Sequence, residues 1–149
     1  MNDMLRKPQL RTEKTFNLRS SIYLELKNYP MAIQDGLKAI EVNPRHLNAL
    51  TTLGAAYFRL GNFQSAIKYF EAAKNIDSNN YGIYFNLGTT YYNMGQYDAA
   101  LVNFKKALGL APNNPDIHYN IGMIYGAKGM IREMQQEMEL SRRLRGNSK

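Results

Sequence analysis

The chain has 149 residues, a net charge of +7 and no cysteine. The length fits a single domain, and the lack of cysteine excludes both a disulfide framework and a thiolate metal site. There is no unbroken apolar run of about 18 residues, so the sequence predicts no transmembrane helix. The first residues are charged and lack the apolar segment of a secretory signal, which favours a cytoplasmic location.

The surplus of positive charge lies at the two ends of the sequence. Residues 1–19 carry five basic and two acidic side chains, and residues 127–149 carry six and three. Basic ends can attract nucleic acid or anionic lipid. Charged ends of this kind are more often simply solvated, so we expect neither nucleic acid nor membrane binding.

The predicted elements begin after a short basic tail. Residues 1–12 contain Pro8 and show no clear periodicity, so we interpret them as a loosely structured N-terminal tail, with the last part of a preceding repeat as the alternative. From residue 13 onward, apolar side chains recur with the spacing of one helix face, and turn-forming residues interrupt them. This pattern predicts eight helices, at 13–27, 30–43, 47–60, 63–76, 81–94, 97–110, 115–128 and 131–145.

A 34-residue repeat runs through these predicted helices. Steps of 34 residues from Tyr23 reach a tyrosine each time, at Tyr57, Tyr91 and Tyr125. Gly54 and Gly61 each recur twice at the same step. Four copies align without insertion or deletion, at residues 13–46, 47–80, 81–114 and 115–148. Each copy forms one helical hairpin, which is stable because it stacks on its neighbours.

The period and the order of small and aromatic residues resemble the tetratricopeptide repeat family. The resemblance covers residues 13–148 and implies an all-α fold, a right-handed α-α superhelix (solenoid) of about four helical hairpins. The end copies depart from the family pattern, with Lys27 at a glycine place, Gly36 at an aromatic place, and methionines at positions 134 and 138. Terminal repeats are commonly atypical, so the fold prediction stands.

The resemblance also implies where a partner binds. In the family, the first helix of each hairpin lines a concave groove, and set places along that helix face inward. Transferred place by place, these give the predicted partner-binding residues Thr52, Phe58, Arg59, Phe85, Asn86, Thr89, Tyr92, Asn93, Tyr119 and Asn120.

Two features of this set favour an extended peptide as the ligand. Asn86 and Asn120 lie one period apart, and their amides could hold a peptide backbone. Such a row resembles the asparagine ladder of the O-linked N-acetylglucosamine transferase superhelix. The rings of the set offer apolar contact surface. The alternatives are that the asparagines face solvent or cap turns, and that the rings pack between neighbouring first helices.

A second binding mode of the family is not expected. Heat-shock co-chaperones use a carboxylate clamp, which needs lysine and arginine at set places in the groove. In the first of the two alignments of this clamp, uncharged residues including Asn17, Ser21 and Thr52 occupy those places. The second alignment also lacks the cations, so we predict no tight binding of acidic C-terminal tails by that clamp.

The sequence gives little support for catalysis. The two histidines, His46 and His118, lie on different repeats and have no second ligand at metal spacing. His46 is predicted in the turn between the first two copies, and His118 in the packing of a helix. The glycines follow the repeat period rather than a phosphate-binding motif. We therefore expect no enzyme activity, no metal site and no cofactor.

The sequence thus predicts an interaction scaffold whose groove binds a protein or peptide partner of unknown identity. The alternative is a structural subunit that self-associates through its uncovered terminal helices. The last predicted helix favours a homo-oligomer, because Ile131, Met134, Met138 and Leu144 have no following helix to cover them. Two alternatives stay open: its polar residues could solvate that face without a partner, or the sequence could be a fragment of a longer chain that covers it. The fold alone does not decide between these functions.

Overall fold

The computed structural model describes the backbone of residues 3–147 and the side chains of residues 12–147. Over these residues the chain forms eight α-helices and no strand, which confirms the all-α fold class. The helices are α1 (Asp3–Glu25), α2 (Tyr29–Val42), α3 (Leu47–Arg59), α4 (Phe63–Ile76), α5 (Tyr81–Asn93), α6 (Tyr97–Leu110), α7 (Pro115–Ala127) and α8 (Ile131–Gly146).

Turn-forming residues define the helix ends. The side chains of four asparagines accept an N–H bond from the first turn of α2, α4, α5 and α7, and these are Asn28, Asn62, Asn80 and Asn114. The Nδ1 atom of His46 does the same for α3, in the turn where His46 was predicted. Because these caps and turns recur with the period, the bounds of α2 to α8 agree with the predicted ones to within one residue.

The start of α1 corrects the prediction for the N-terminal segment. This helix begins at Asp3, whereas the predicted start was residue 13. Residues 3–12 therefore continue the helix instead of forming a loose tail, and Pro8 lies inside it. A proline inside a helix lacks one backbone donor and crowds the carbonyl four residues earlier, so Pro8 weakens the start of α1 without ending the helix. Residues 1, 2, 148 and 149, which include the end of the fourth predicted repeat, lie outside the described residues.

The chain divides into two compact units. Unit 1 is Met1–Asp77 and contains the hairpins α1–α2 and α3–α4, and unit 2 is Ser78–Lys149 and contains α5–α6 and α7–α8. Within unit 1, α3 packs against both α1 and α2, and within unit 2, α7 packs against both α5 and α6. Each unit is thus a stack of two hairpins in which the second covers apolar surface of the first.

Glycine recurs in the first helices because an aromatic ring of the second helix lies directly against it. A Cβ atom on Gly54 would lie 2.5 Å from the Phe70 ring, and one on Gly88 would lie 2.8 Å from the Phe104 ring. Phe104 is fully buried and belongs to the core of unit 2 together with Tyr84, Ala100, Ala107, Ile117, Ile121 and Ile124. None of the helices in the described part of the chain combines the length and the hydrophobicity of a transmembrane segment.

Candidate functional site

The predicted site residues lie on α3 in unit 1 and on α5 and α7 in unit 2. In unit 1, Thr52 does not fit the prediction, because it is only 8% exposed. It is buried since α3 packs against both helices of the preceding hairpin. Phe58 is half-buried and packs against Phe63, with ring centroids 5.6 Å apart. Arg59 is exposed at the end of α3, so it is the residue of this group most open to a partner.

Arg59 also lines a cavity of about 460 Å³ in unit 1. The other lining residues come from the end of α1, the loop that follows it, the start of α2 and the middle of α3. They are Leu24, Glu25, Lys27, Tyr29 and Ala55. Sequence reasoning noted that Lys27 replaces a glycine but did not connect it with a site. The sequence feature that could have indicated this site is the lysine itself, since the three other copies carry glycine at the same place in the loop.

In unit 2, polar side chains follow one side of α5 and continue on its neighbour α7. Asn86, Thr89 and Asn93 lie at helical spacing on α5, and Asn120 lies on α7, one period after Asn86. The two helices pack against each other within this unit. We call the side formed by these residues, together with Tyr92 and Tyr119, the α5/α7 surface.

The amides of the α5/α7 surface differ in how far they are already used. Asn120 Nδ2 donates to the Asp116 carbonyl at 2.7 Å, and Asn93 Nδ2 donates to the Thr89 carbonyl at 2.8 Å. Both therefore hydrogen-bond within their own helix and keep the side-chain oxygen as an acceptor. The side-chain amide of Asn86 forms no hydrogen bond in the described part of the chain and is partly exposed. Its N–H donors and its acceptor oxygen are therefore open to a ligand.

The aromatic residues of the predicted site pack mainly on their own hairpins. Phe85 meets Phe104 edge-on at a centroid distance of 5.4 Å, and Tyr92 lies 5.6 Å from Tyr97. Their ring partners thus lie on second helices, and both residues also pack against the core of unit 2, which includes residues of the neighbouring first helix α7. Tyr119 is the most open ring, 42% exposed, with the Arg145 guanidinium 5.6 Å from its centroid. This distance is within the range of cation–π attraction.

His118 is buried, as predicted, and has two hydrogen-bond partners that the sequence did not reveal. Its Nδ1 lies 2.7 Å from a Glu137 oxygen, and its Nε2 lies 3.1 Å from the Pro112 carbonyl. Both ring nitrogens are therefore used to join α7 to α8 and to the preceding turn. Among the described residues, no group of three or more histidine or acidic side chains is placed to hold a metal ion.

Charged pairs cover part of α8, where the sequence predicted an association surface. Arg142 and Arg143 donate hydrogen bonds to Glu139 at 2.8 and 2.7 Å. These bonds, those of Arg142 first, lower the pKa of Glu139 from 4.5 to about 2. The exposed large apolar residues of this helix are Ile131 and Leu140, whereas Met134 and Met138, predicted as uncovered, lie against Gly126 and Gly122 of α7.

Comparisons with protein families match the repeat pattern. A family model described as TPR repeat matches residues 90–129. A second model, described as anaphase-promoting complex, cyclosome, subunit 3, matches residues 25–107, which is more than half of the chain. A sequence search of curated proteins gives no significant match.

Solved structures of other proteins share the fold over most of the chain. A crystal structure of MamA superposes with a TM-score of 0.86 at 22% identity, covering 91% of this chain and 79% of MamA. MamA from Desulfovibrio magneticus RS-1 gives 0.86 at 18% identity, covering 91% and 77%. TTC0263, a thermophilic TPR protein of Thermus thermophilus, gives 0.73 at 19% identity, covering 90% and 80%. At these identities the likeness concerns the fold alone.

Proposed function

The chain belongs to the tetratricopeptide repeat family, and we propose that it is an interaction scaffold that holds an extended segment of a partner protein or peptide. Proteins of this family typically act as scaffolds rather than as enzymes. The proposed binding residues are the exposed members of the predicted set, above all those of the α5/α7 surface.

The observation that carries the proposal is the free amide of Asn86. A partly exposed side-chain amide offers two donor hydrogens and an acceptor oxygen, which is what a peptide backbone requires. Thr89 and Asn93 follow on the same side of α5, and the free oxygen of Asn120 lies on the adjacent α7. Such a row recognises backbone groups and therefore favours an extended segment over a folded surface.

Apolar contact supplements these hydrogen bonds. Tyr119 is open to solvent, and Tyr92 is half-exposed beside Asn93. Partly exposed rings flanked by polar groups are common at binding surfaces. We expect an affinity on the order of micromolar, or about −8 kcal/mol, as for other short extended ligands.

A pulldown from the native lysate tests this function. The wild-type protein is compared with an Asn86→Ala/Asn120→Ala/Tyr92→Ala variant whose folding is checked by circular dichroism. We expect the variant to lose a partner that the wild type retains, with affinity at least roughly tenfold weaker, because each lost hydrogen bond contributes about 1 kcal/mol.

A matched control variant carries Asn75→Ala and Asn103→Ala, which remove two asparagines of the second helices α4 and α6. This variant should retain the partner. If the triple variant binds as well as the wild type, the α5/α7 surface is not the site and the scaffold mechanism proposed here is wrong.

Self-association is a second candidate function, supported by an apolar stripe on α1 and the turn that follows it. Leu18, Ile22 and Leu26 follow one another at a spacing of four residues and are 63%, 48% and 70% exposed. One period later in the same unit, the residues equivalent to Leu18 and Ile22 are Thr52 and Ala56, which are buried against the first hairpin. Within the described residues no helix covers Leu18 and Ile22, and a second copy of the chain could cover this face.

Light scattering over a range of protein concentrations tests self-association. We expect a mass that rises with concentration for the wild type and stays monomeric for Ile22→Lys. The charge-matched control is Leu140→Lys on α8, where the nearby charges of Glu139, Arg142 and Arg143 make association less favourable. A wild type that is monomeric at every concentration removes this candidate, and a monomeric Leu140→Lys variant would move the interface to the C-terminal helix.

A further inference from the structure

The loop between α1 and α2 contains a lysine in a backbone conformation that suits glycine. Lys27 has φ +59°, and the residues one, two and three periods later are Gly61, Gly95 and Gly129, with φ +76°, +73° and +74°. Side chains rarely adopt this left-handed conformation, because the Cβ atom crowds the following carbonyl oxygen. Among the described residues, Lys27 is the only non-glycine residue with positive φ.

The hydrogen bonds of this loop do not account for the lysine. Lys27 N donates to the Leu24 carbonyl at 3.0 Å, and Gly61 N donates to the equivalent Phe58 carbonyl at 2.9 Å. The glycine loops of the other hairpins thus form the same bond without a side chain. Backbone strain of this kind tends to occur at functional sites, which directs attention to what the lysine side chain can reach.

Lys27 lines the cavity of about 460 Å³ in unit 1 together with Arg59. Both residues are exposed, and neither forms an ion pair within the described part of the chain. Glu25 is the acidic lining residue, so two cations and one carboxylate leave one net positive charge. Leu24, Tyr29 and Ala55 supply the uncharged part of the lining.

We propose that this cavity binds a single carboxylate group of the partner segment, an inference that rests on the scaffold function proposed above. The planar guanidinium of Arg59 can donate two parallel hydrogen bonds to one carboxylate, and Lys27 adds a compact charge. A single net charge matches a monovalent carboxylate better than a divalent phosphate. The apolar lining suits the stem of an aspartate or glutamate, or the last side chain beside a free C-terminus.

This cavity differs from the carboxylate clamp considered above. The clamp places on the first helices are occupied by uncharged residues, among them Asn17 and Ser21. Here the cations come from a hairpin loop and from the last residue of α3, on the side of the unit where α1 ends and α2 begins. The ligand class is similar, but the residues and their location in the repeat are not.

Nuclear magnetic resonance titration of the full, ¹⁵N-labelled chain tests the proposal with three small probes. N-acetyl-Leu-Glu amide carries a side-chain carboxylate, N-acetyl-Leu-Gln amide is its neutral isostere, and N-acetyl-Gly-Leu carries a free C-terminal carboxylate. We expect saturable shifts of the Lys27, Ala55 and Arg59 amides with a charged probe and at least fivefold weaker binding of the neutral one. Whichever charged probe binds more tightly identifies the source of the carboxylate.

Two variants and a control complete the titration. Lys27→Asn removes the charge but keeps a residue that tolerates positive φ, and Arg59→Gln removes the second cation. Each should weaken the charged probe at least fivefold. Lys105→Gln removes an equal charge from an exposed lysine of α6 and should leave binding unchanged. Equal binding of the neutral isostere, or an equal effect of Lys105→Gln, would overturn the proposal.

The pulldown described above separates failure of this proposal from failure of the scaffold function. A partner lost by the Asn86→Ala/Asn120→Ala/Tyr92→Ala variant but retained by Lys27→Asn would keep the scaffold and overturn the carboxylate site. A partner lost only by Lys27→Asn and Arg59→Gln would support the carboxylate site and overturn the α5/α7 surface.

Discussion

The first and third hairpins fill the interface between their two helices with different residues. In the third, Gly88 on α5 receives the ring of Phe104 from α6, and the interface is apolar. In the first, the equivalent places hold Ser20 on α1 and Gly36 on α2, so the aromatic ring is missing. A side chain from outside the hairpin fills this volume. A Cβ atom on Gly36 would lie 2.8 Å from the side chain of Leu53 on α3.

The first hairpin also replaces apolar contact with buried polar bonds. Ser20 Oγ donates to the Ala32 carbonyl at 2.7 Å. Asp35 is fully buried and accepts two hydrogen bonds from Arg19, one of them from Nη2 at 2.8 Å, and this pairing raises the pKa of Arg19. The Arg19 side chain is 47% exposed, whereas the Asp35 carboxylate is buried and would lack a charged partner if Arg19 were removed. The repeat therefore preserves the volume and geometry of the interface rather than its polarity.

The largest effect is expected from removing the ring on which the third hairpin depends. Phe104→Ala should destabilise the protein by about 3–5 kcal/mol, because the side chain is fully buried and leaves a cavity. Urea unfolding followed by circular dichroism measures the change. The counterpart for the first hairpin is Leu53→Ala on α3, for which we expect about 2–5 kcal/mol. A loss below about 1 kcal/mol in Leu53→Ala would contradict the view that this residue replaces the missing ring.

An intermediate effect is expected from adding one methyl group to the same interface. Gly88→Ala should cost about 1–3 kcal/mol, since the new Cβ would lie 2.8 Å from the Phe104 ring. Gly109→Ala on α6 is the control, because nothing lies within 4 Å of its added Cβ. That substitution should be neutral or stabilising by up to about 1 kcal/mol, as alanine favours a helix more than glycine. Equal effects of the two would show that close packing is not the cause.

Sequence periodicity was sufficient to predict the bounds of α2 to α8, because their caps, turns and apolar faces recur every 34 residues. The start of α1 could not be obtained in this way, since residues 3–12 do not follow the residue pattern of the repeat and Pro8 suggested a break. The pairs Arg19–Asp35 and His118–Glu137 were also missed. They join helices through polar atoms, and apolar spacing does not reveal which polar side chains pair with each other.

The candidate site was predictable as a set of helix positions but not as a surface. Sequence reasoning placed Thr52 and Asn86 at equivalent places, yet the first is buried and the second has a free amide. The difference depends on what packs against each helix, which the repeat does not specify. Asn120 was correctly placed on a first helix. Its hydrogen bond to the Asp116 carbonyl depends on the side-chain conformation, which the repeat spacing does not reveal.

The smallest expected effect concerns the loops of the first two hairpins, which differ by one residue. Lys27→Gly should stabilise the protein by roughly 0.5–1 kcal/mol, because relief of the left-handed strain exceeds the extra freedom of glycine in the unfolded chain. Gly61→Lys is the matched reverse change in the same unit, with φ +76° and nothing within 4 Å of an added Cβ, so its cost reflects the backbone alone. Urea unfolding measures both changes, and the double variant should return close to the wild-type stability.

A Lys27→Gly variant that is less stable than the wild type would mean that the lysine side chain supports the fold. A more stable variant that no longer binds N-acetyl-Leu-Glu amide would mean instead that the loop sacrifices stability for the charge at the cavity.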